Sequence, residues 1–139
     1  MIQLITGEKG KGKTKILLEK ANSEIKSANG NFVYLDKSAQ HMYELNNRIR
    51  LIDVTTYPVK NTDEFIGFVC GIISQDHDLE TMYLDSFLKL ASVDETNVAQ
   101  SLEELDAIGK EYEVNFVISI SLVRDQIPEN YRANIITEL

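Results

Sequence analysis

The chain has 139 residues, 43% of them hydrophobic and 26% charged, enough for one domain with its own core and too few for two. No apolar run reaches the roughly 18 residues of a membrane helix, so no membrane partner is expected. A net charge of −8 argues against nonspecific nucleic-acid binding, which needs a basic footprint. The single cysteine, Cys70, excludes an internal disulfide and, with no export signal, points to a reducing cytoplasm.

Residues 2–6 predict a buried strand; they lack the basic leader and cleavage site of a signal peptide. A helix is expected from about Lys13 to Ala28, with Leu17, Leu18, Ala21, Ile25 and Ala28 on one face and Gly30 as its stop. Phe32-Val33-Tyr34-Leu35 reads as a second strand ending at Asp36, and Ala39 to Asn46 as a short helix with Ala39, Met42 and Tyr43 inward. Leu51 to Thr55 is a third strand. Thr62 to Gln75 has the strongest helical pattern: Asn61 and Glu64 resemble a capping pair, and Phe65, Phe68, Val69, Ile72 and Ile73 form a stripe near which Cys70 is expected to pack. Met82-Tyr83-Leu84 predicts a fourth strand ending at Asp85, and Asn97 to Tyr112 a helix with Val98, Leu102, Leu105, Ile108 and Tyr112 aligned. Phe116 to Ser121 is a fifth strand and Asn134 to Thr137 a candidate sixth.

Strands alternating with helices predict an α/β fold: three layers, a mostly parallel sheet of five or six strands, and helices on both faces. Ligands of such sheets bind beyond the carboxyl ends of the strands. That rule singles out Thr6 with Gly7, Asp36, Asp85 and Ser121.

Gly7-Glu8-Lys9-Gly10-Lys11-Gly12-Lys13-Thr14 fits G-x-x-x-x-G-K-[ST] completely, between an apolar strand and an amphipathic helix. The glycines let the backbone approach a ligand closely. Consecutive amides at a helix N-terminus make a concave donor surface for phosphate. Lys13 is expected to reach the β and γ phosphates of a nucleotide, and the Thr14 hydroxyl to ligate Mg²⁺. Lys9 and Lys11 read either as solvated charges or as further cations on the phosphates.

Thr81-Met82-Tyr83-Leu84-Asp85 has the form of a Walker B strand, in which Asp85 holds the metal; the same residue would also suit a turn or a helix cap. Ser86 follows it where many such ATPases carry a water-activating glutamate. Asp36, at the end of the second strand, is the remaining candidate base, or else an N-cap for a helix beginning near Ser38. Ser119 and Ser121 are candidate γ-phosphate sensors or satisfied core hydroxyls. Arg124 and Arg132 are candidates for a cation offered to a neighbouring subunit's phosphates, or surface ion pairs. His41, His77 and Cys70 show no metal spacing.

These residues resemble the RecA-like branch of P-loop ATPases, reduced to little more than its core. The resemblance is carried by the phosphate loop, by Leu35-Asp36, and by the run from Leu51 through Thr62-Asp63-Glu64-Phe65 to Leu84-Asp85-Ser86, and it extends to Phe116–Ser121. The chain also looks like small bacterial proteins labelled twitching-motility-type ATPases. The resemblance implies ATP as ligand, a tendency to assemble with itself or a protein partner, and a strand lying between the phosphate-loop strand and that of the metal aspartate. The chain departs from the family at Ser38 and Ser86, where the catalytic glutamate finds no match, and leaves little room for loops that bind single-stranded DNA. No Asn-Lys-x-Asp segment marks a GTPase. Three functions stay open: an ATP-binding domain with slow or partner-stimulated hydrolysis, a non-hydrolysing switch or scaffold, and a small nucleoside or nucleotide phosphotransferase.

Overall fold

The computed structural model describes residues 1–139. Its elements in chain order are β1 (Ile2–Thr6), α1 (Lys13–Glu24), β2 (Asn31–Asp36), β3 (Ile49–Asp53), α2 (Thr62–Ser74), β4 (Leu79–Leu84), α3 (Phe87–Leu90), α4 (Val98–Tyr112), β5 (Asn115–Ile120) and β6 (Ile135–Glu138). The six strands form one sheet in the order β3-β2-β4-β5-β1-β6, and every pairing is parallel.

Handedness explains the layering. Parallel crossovers are right-handed almost without exception. The step from β1 to β2 runs one way across the sheet, whereas β3 to β4, β4 to β5 and β5 to β6 run the other. Crossovers in opposite directions must lie on opposite faces, so α1 covers one face while α2 and α4 cover the other. The core divides accordingly. Ile5, Phe32, Tyr34, Tyr83 and Val117 pack with Leu17, Leu18 and Ala21 of α1. Leu4, Val33, Leu35, Met82, Leu84 and Ile118 pack with Phe65, Val69, Leu102 and Leu105 of α2 and α4. The apolar strands thus alternate between two buried faces, as a covered parallel sheet requires.

Helix α2 begins as its sequence predicts: the Asn61 side chain accepts the Glu64 N–H at 2.9 Å. The Glu64 carboxylate takes the Lys60 N–H instead of the Asn61 N–H, so the capping is not reciprocal. Phe65, Val69 and Ile73 are buried, with Phe68 and Ile72 half-buried beside them.

Several expectations are corrected. Helix α1 stops at Glu24 and tightens into a single 3₁₀ turn over Ile25–Ser27, short of Ala28. Ala39–Asn46 forms no α-helix, only a 3₁₀ turn over Met42–Glu44, and Ala39, Met42 and Tyr43 face solvent. This connection runs over the α1 face, where Asn22 bonds Glu44 and Asn46, so Leu45 rather than Tyr43 reaches the core. Strand β3 begins two residues earlier than expected, β4 begins at Leu79, and β5 ends before Ser121. Cys70 is exposed, lying on the outer face of α2 beside the stripe. Tyr112, the last residue of α4, is 59% exposed; the helix ends there, and a left-handed Glu113 turns the chain into β5. The four-residue helix α3 has too few residues to show a period and has no counterpart in the sequence pattern.

Candidate functional site

Period-two geometry gathers the site. In β2, Tyr34 and Asp36 share a face; in β4 and its end, so do Tyr83 and Asp85; in β5 and its end, Val117, Ser119 and Ser121 do. Tyr34, Tyr83 and Val117 pack in the α1 layer, so Asp36, Asp85, Ser119 and Ser121 meet at the carboxyl edge beneath the N-terminus of α1. The strand between β1 and β4 is β5, the separation implied by the RecA-like resemblance.

The loop from Gly7 to Gly12 joins β1 to α1 through left-handed backbone. Gly7, Gly10 and Gly12 have φ of 149°, 86° and 93°, conformations that disfavour a side chain. A Cβ on Gly7 would also lie 2.8 Å from the Leu139 carbonyl oxygen. Gly12 stands at the N-cap, with no side-chain cap and no acidic residue in the first turn of α1. In α2 the Asn61 cap, Asp63 and Glu64 complement that end of the helix. The first amides and the positive dipole end of α1 are therefore left for another anion.

Lys13 folds back over the loop. Its Nζ donates to the Gly7 and Glu8 carbonyls, both at 2.9 Å, and the residue is only 7% exposed. Burial holds its pKa below the ordinary lysine value, while Asp85 pulls the other way. Glu8 contributes this carbonyl, and its side chain is exposed.

Asp85 is the hub. Its Oδ1 accepts the hydroxyls of Thr14 at 3.1 Å and Ser119 at 2.7 Å, and its Oδ2 accepts the Tyr34 hydroxyl at 2.9 Å. The Asp85 N–H bonds the Leu35 carbonyl, which keeps the strand end in line with β2. Ser86 then adopts a left-handed φ of 56°, held by its N–H bond to Ser119 Oγ at 2.8 Å. Ser119 thus bonds both sides of this turn, a role that goes to Ser121 in no hydrogen bond of the structure. Ser121 is half-buried and lines the cleft.

Tyr34 carries no functional signal in the sequence, since a tyrosine in a buried strand reads as core. Burial, then the Asp85 charge, raises its pKa, so it stays a donor. Tyr34→Phe is expected to destabilise the fold by about 1–2 kcal/mol, one buried charge-assisted hydrogen bond. Urea unfolding measures it; an unchanged midpoint would mean that Asp85 is held without this hydroxyl.

Asp36 is 2% exposed. Its Oδ1 accepts the Lys37 N–H at 2.7 Å, and its Oδ2 is buried with no partner. No helix starts near Ser38, so the N-cap alternative is overturned. Burial, followed by the Asp85 charge, raises the Asp36 pKa against the pull of the Lys37 N–H, His41 and Lys37. A carboxyl whose pKa is raised on folding gives stability that is full at low pH and lost as pH rises through the elevated value. Asp36→Asn is therefore expected to raise the urea midpoint at pH 7, and the gain should shrink toward about pH 4, where the unfolded carboxyl protonates as well. Equal midpoints at both pH values would show that Asp36 carries no such penalty.

Above Asp85 opens a cleft of about 300 Å³ lined by Lys9, Gly10, Gly12, Lys13, Thr14, Lys37, Ser86, Leu88, Lys89, Ser119 and Ser121. Lys37, Leu88 and Lys89 were not singled out by the sequence. Lys37 directly follows a flagged strand end and was within reach of that rule; Leu88 and Lys89 depend on the unforeseen helix α3. Lys11 is exposed and outside the lining. Arg124 also lies outside it: Nε and Nη2 donate to the two Glu138 carboxylate oxygens at 3.0 and 3.1 Å. Arg132 donates to the Ile127 and Asp125 carbonyls.

The donor set suits a small hard cation. Two neighbouring oxygens of an octahedral Mg²⁺ shell, each at about 2.1 Å, stand about 3 Å apart; Thr14 Oγ1 and Asp85 Oδ1 are 3.1 Å apart. No helix is long and apolar enough to cross a membrane.

No protein-family model matches the sequence, and no curated protein sequence matches it. Among solved structures, the flagellar accessory protein FlaH from Methanocaldococcus jannaschii is similar in fold, with a TM-score of 0.59 and 14% identity. The match covers 93% of this chain and 63% of FlaH, so the chain spans less than two thirds of that protein's length. The all-parallel six-stranded sheet, the helices on both of its faces and this likeness together give the chain a RecA-like three-layer α/β fold.

Proposed function

We propose that the chain is a RecA-like P-loop domain that binds Mg-ATP in the cleft above Asp85 and hydrolyses it slowly or on stimulation by a partner. One observation carries the reading. The glycine-bent loop of residues 7–12 leads into a helix whose first turn has no cap of its own, and Lys13 and Asp85 stand on either side of Thr14. That arrangement suits a polyanion with a bound cation.

Loop amides and Lys13 would hold the phosphates, with Lys13 leaving the Gly7 and Glu8 carbonyls to do so. Thr14 and Asp85 would hold Mg²⁺, which when bound withdraws charge from the phosphates. The chain gathers no group of three or more His, Cys, Asp or Glu side chains placed to hold a metal ion. That favours a cation held jointly with phosphate oxygens, the usual manner of Mg²⁺. Asp36 is the chain's own candidate to accept a proton from attacking water: it lies behind the cleft lining next to Lys37, its buried Oδ2 is unpartnered, and burial raises its pKa.

The preference for adenine rests on the RecA-like resemblance, and so does self-assembly or a protein partner. FlaH is described only as a flagellar accessory protein, and a comparable accessory role on a larger assembly is a reading of the same kind. Calorimetric titration with ATP and GTP, each with and without Mg²⁺, together with a phosphate-release assay, tests the proposal. Saturable Mg²⁺-dependent binding of ATP is expected, with turnover well below the median of about 10 s⁻¹ for enzymes. Absence of binding to either nucleotide would reject it.

A further inference from the structure

Four lysines, Lys9, Lys13, Lys37 and Lys89, converge on the cleft, and no carboxylate is among its lining residues. The chain as a whole carries a net charge of −8, so this concentration of cations runs against its composition. None of Lys9, Lys37 or Lys89 forms a salt bridge. Lys9 comes from the phosphate loop, Lys37 from the end of β2 and Lys89 from α3. Lys37 Nζ reaches Ser86 Oγ at 3.3 Å, bridging the ends of β2 and β4. Lys9 and Lys37 both depress the pKa of Lys89, Lys9 the more strongly, so Lys89 faces like charge, and the one carboxylate that draws on Lys37 is the buried Asp36. Such a cluster is repulsive when empty and relieved by a polyanion.

Position decides which part of the polyanion they meet. The loop amides stand over β1, where the inner phosphates would be rooted, and Lys13 beside them would reach on to the β and γ phosphates. Lys37 stands at the end of β2, on the far side of β5 from β1, and Lys89 projects from α3, which packs against β5, to face Lys9 across the cleft. A chain of phosphates leaving the loop and sharing a cation with Thr14 and Asp85 has its last phosphate on that side. Meanwhile Arg124, a candidate cation for a neighbour's phosphates, is engaged by Glu138.

We propose that Lys37 and Lys89, assisted by Lys9, clamp the terminal phosphate of a nucleoside triphosphate from within the same chain, so that these lysines distinguish triphosphate from diphosphate. The proposal rests on the triphosphate reading of this cleft.

Calorimetry of the full chain with Mg²⁺ and either a slowly hydrolysed ATP analogue or ADP tests it. The Lys37→Ala/Lys89→Ala variant is compared with wild type and with Lys20→Ala/Lys26→Ala, which removes the same charge from the far part of α1 and the 3₁₀ turn after it, remote from the loop. Lys37 and Lys89 are exposed, so the fold should persist, and Lys37→Gln/Lys89→Gln provides a second, more conservative pair. The clamp variants should lose at least about 20-fold in affinity for the analogue, as expected for charge-assisted hydrogen bonds, but less than about threefold for ADP. The control should keep the wild-type ratio. Equal losses for both ligands would reduce the lysines to general electrostatic attraction and overturn the proposal, as would no loss for either. Wild type binding neither ligand would instead reject the triphosphate reading beneath it.

Discussion

Lys13→Ala should abolish the response of the chain to Mg-ATP while leaving it folded. A ligand at a hundred times its Kd stabilises the native state by about 2.7 kcal/mol, which for a domain of this size raises Tm by roughly 10 °C. Wild type should show that rise and the variant none. The apo stability of the variant should change little, by about 1 kcal/mol or less, because two effects oppose each other. Truncation removes the bonds to the Gly7 and Glu8 carbonyls, but it also relieves the cost of holding an ammonium group that is only 7% exposed. A thermal-shift series at fixed Mg²⁺ and increasing ATP separates the two terms, since only the ligand term depends on concentration. Equal stabilisation of both proteins would place the nucleotide elsewhere.

Asp85 should give the largest loss of stability in the site, and two variants should part company. Asp85→Ala strands three hydroxyls, those of Thr14, Ser119 and Tyr34, around a space left by the carboxylate. Tyr34 and Ser119 are buried, so the cost is expected to be about 2–4 kcal/mol by urea unfolding. Asp85→Asn keeps the shape and one acceptor, and the rotatable hydroxyls can turn to meet its amide. It should cost about 1 kcal/mol or less while eliminating any difference between nucleotide binding with and without Mg²⁺. Stability and metal dependence would then be separated at one position. Should Asp85→Asn retain the Mg²⁺ dependence, the metal is held by other groups and the role given to this carboxylate fails.

The glycine-bent shape of the 7–14 loop was legible because it is local. Its glycines, Lys13 and Thr14 occupy consecutive positions, and each meets a requirement of the backbone or of the helix start within the same eight residues. The alternation of strand and helix was legible for the same reason, and with it the parallel sheet. Tyr43 and Tyr112 were misjudged because an aromatic at a helical spacing is apolar in sequence whether or not the sheet extends beneath it. Tyr43 sits in a connection that forms only a 3₁₀ turn, and Tyr112 is the last residue of α4, just before a left-handed turn at Glu113. Cys70 was misjudged by one position of rotation about α2.

By itself the sequence determined the local features: a glycine-rich loop between a strand and a helix, a carboxylate at the end of an apolar strand, and periodicities that demand an α/β sandwich. Those follow from interactions within a few residues of one another. Only the tertiary structure decided which side chains serve together. Strand order is set by the direction and handedness of the crossovers, and it brings β2 beside β4 so that Tyr34 meets Asp85 across 51 positions of chain. It also sets Ser119 rather than Ser121 against that carboxylate, binds Arg124 to Glu138, and draws Lys37 and Lys89 to the cleft of Lys9 and Lys13. Contacts between residues so far apart depend on how whole elements pack, and no short window of sequence contains that information.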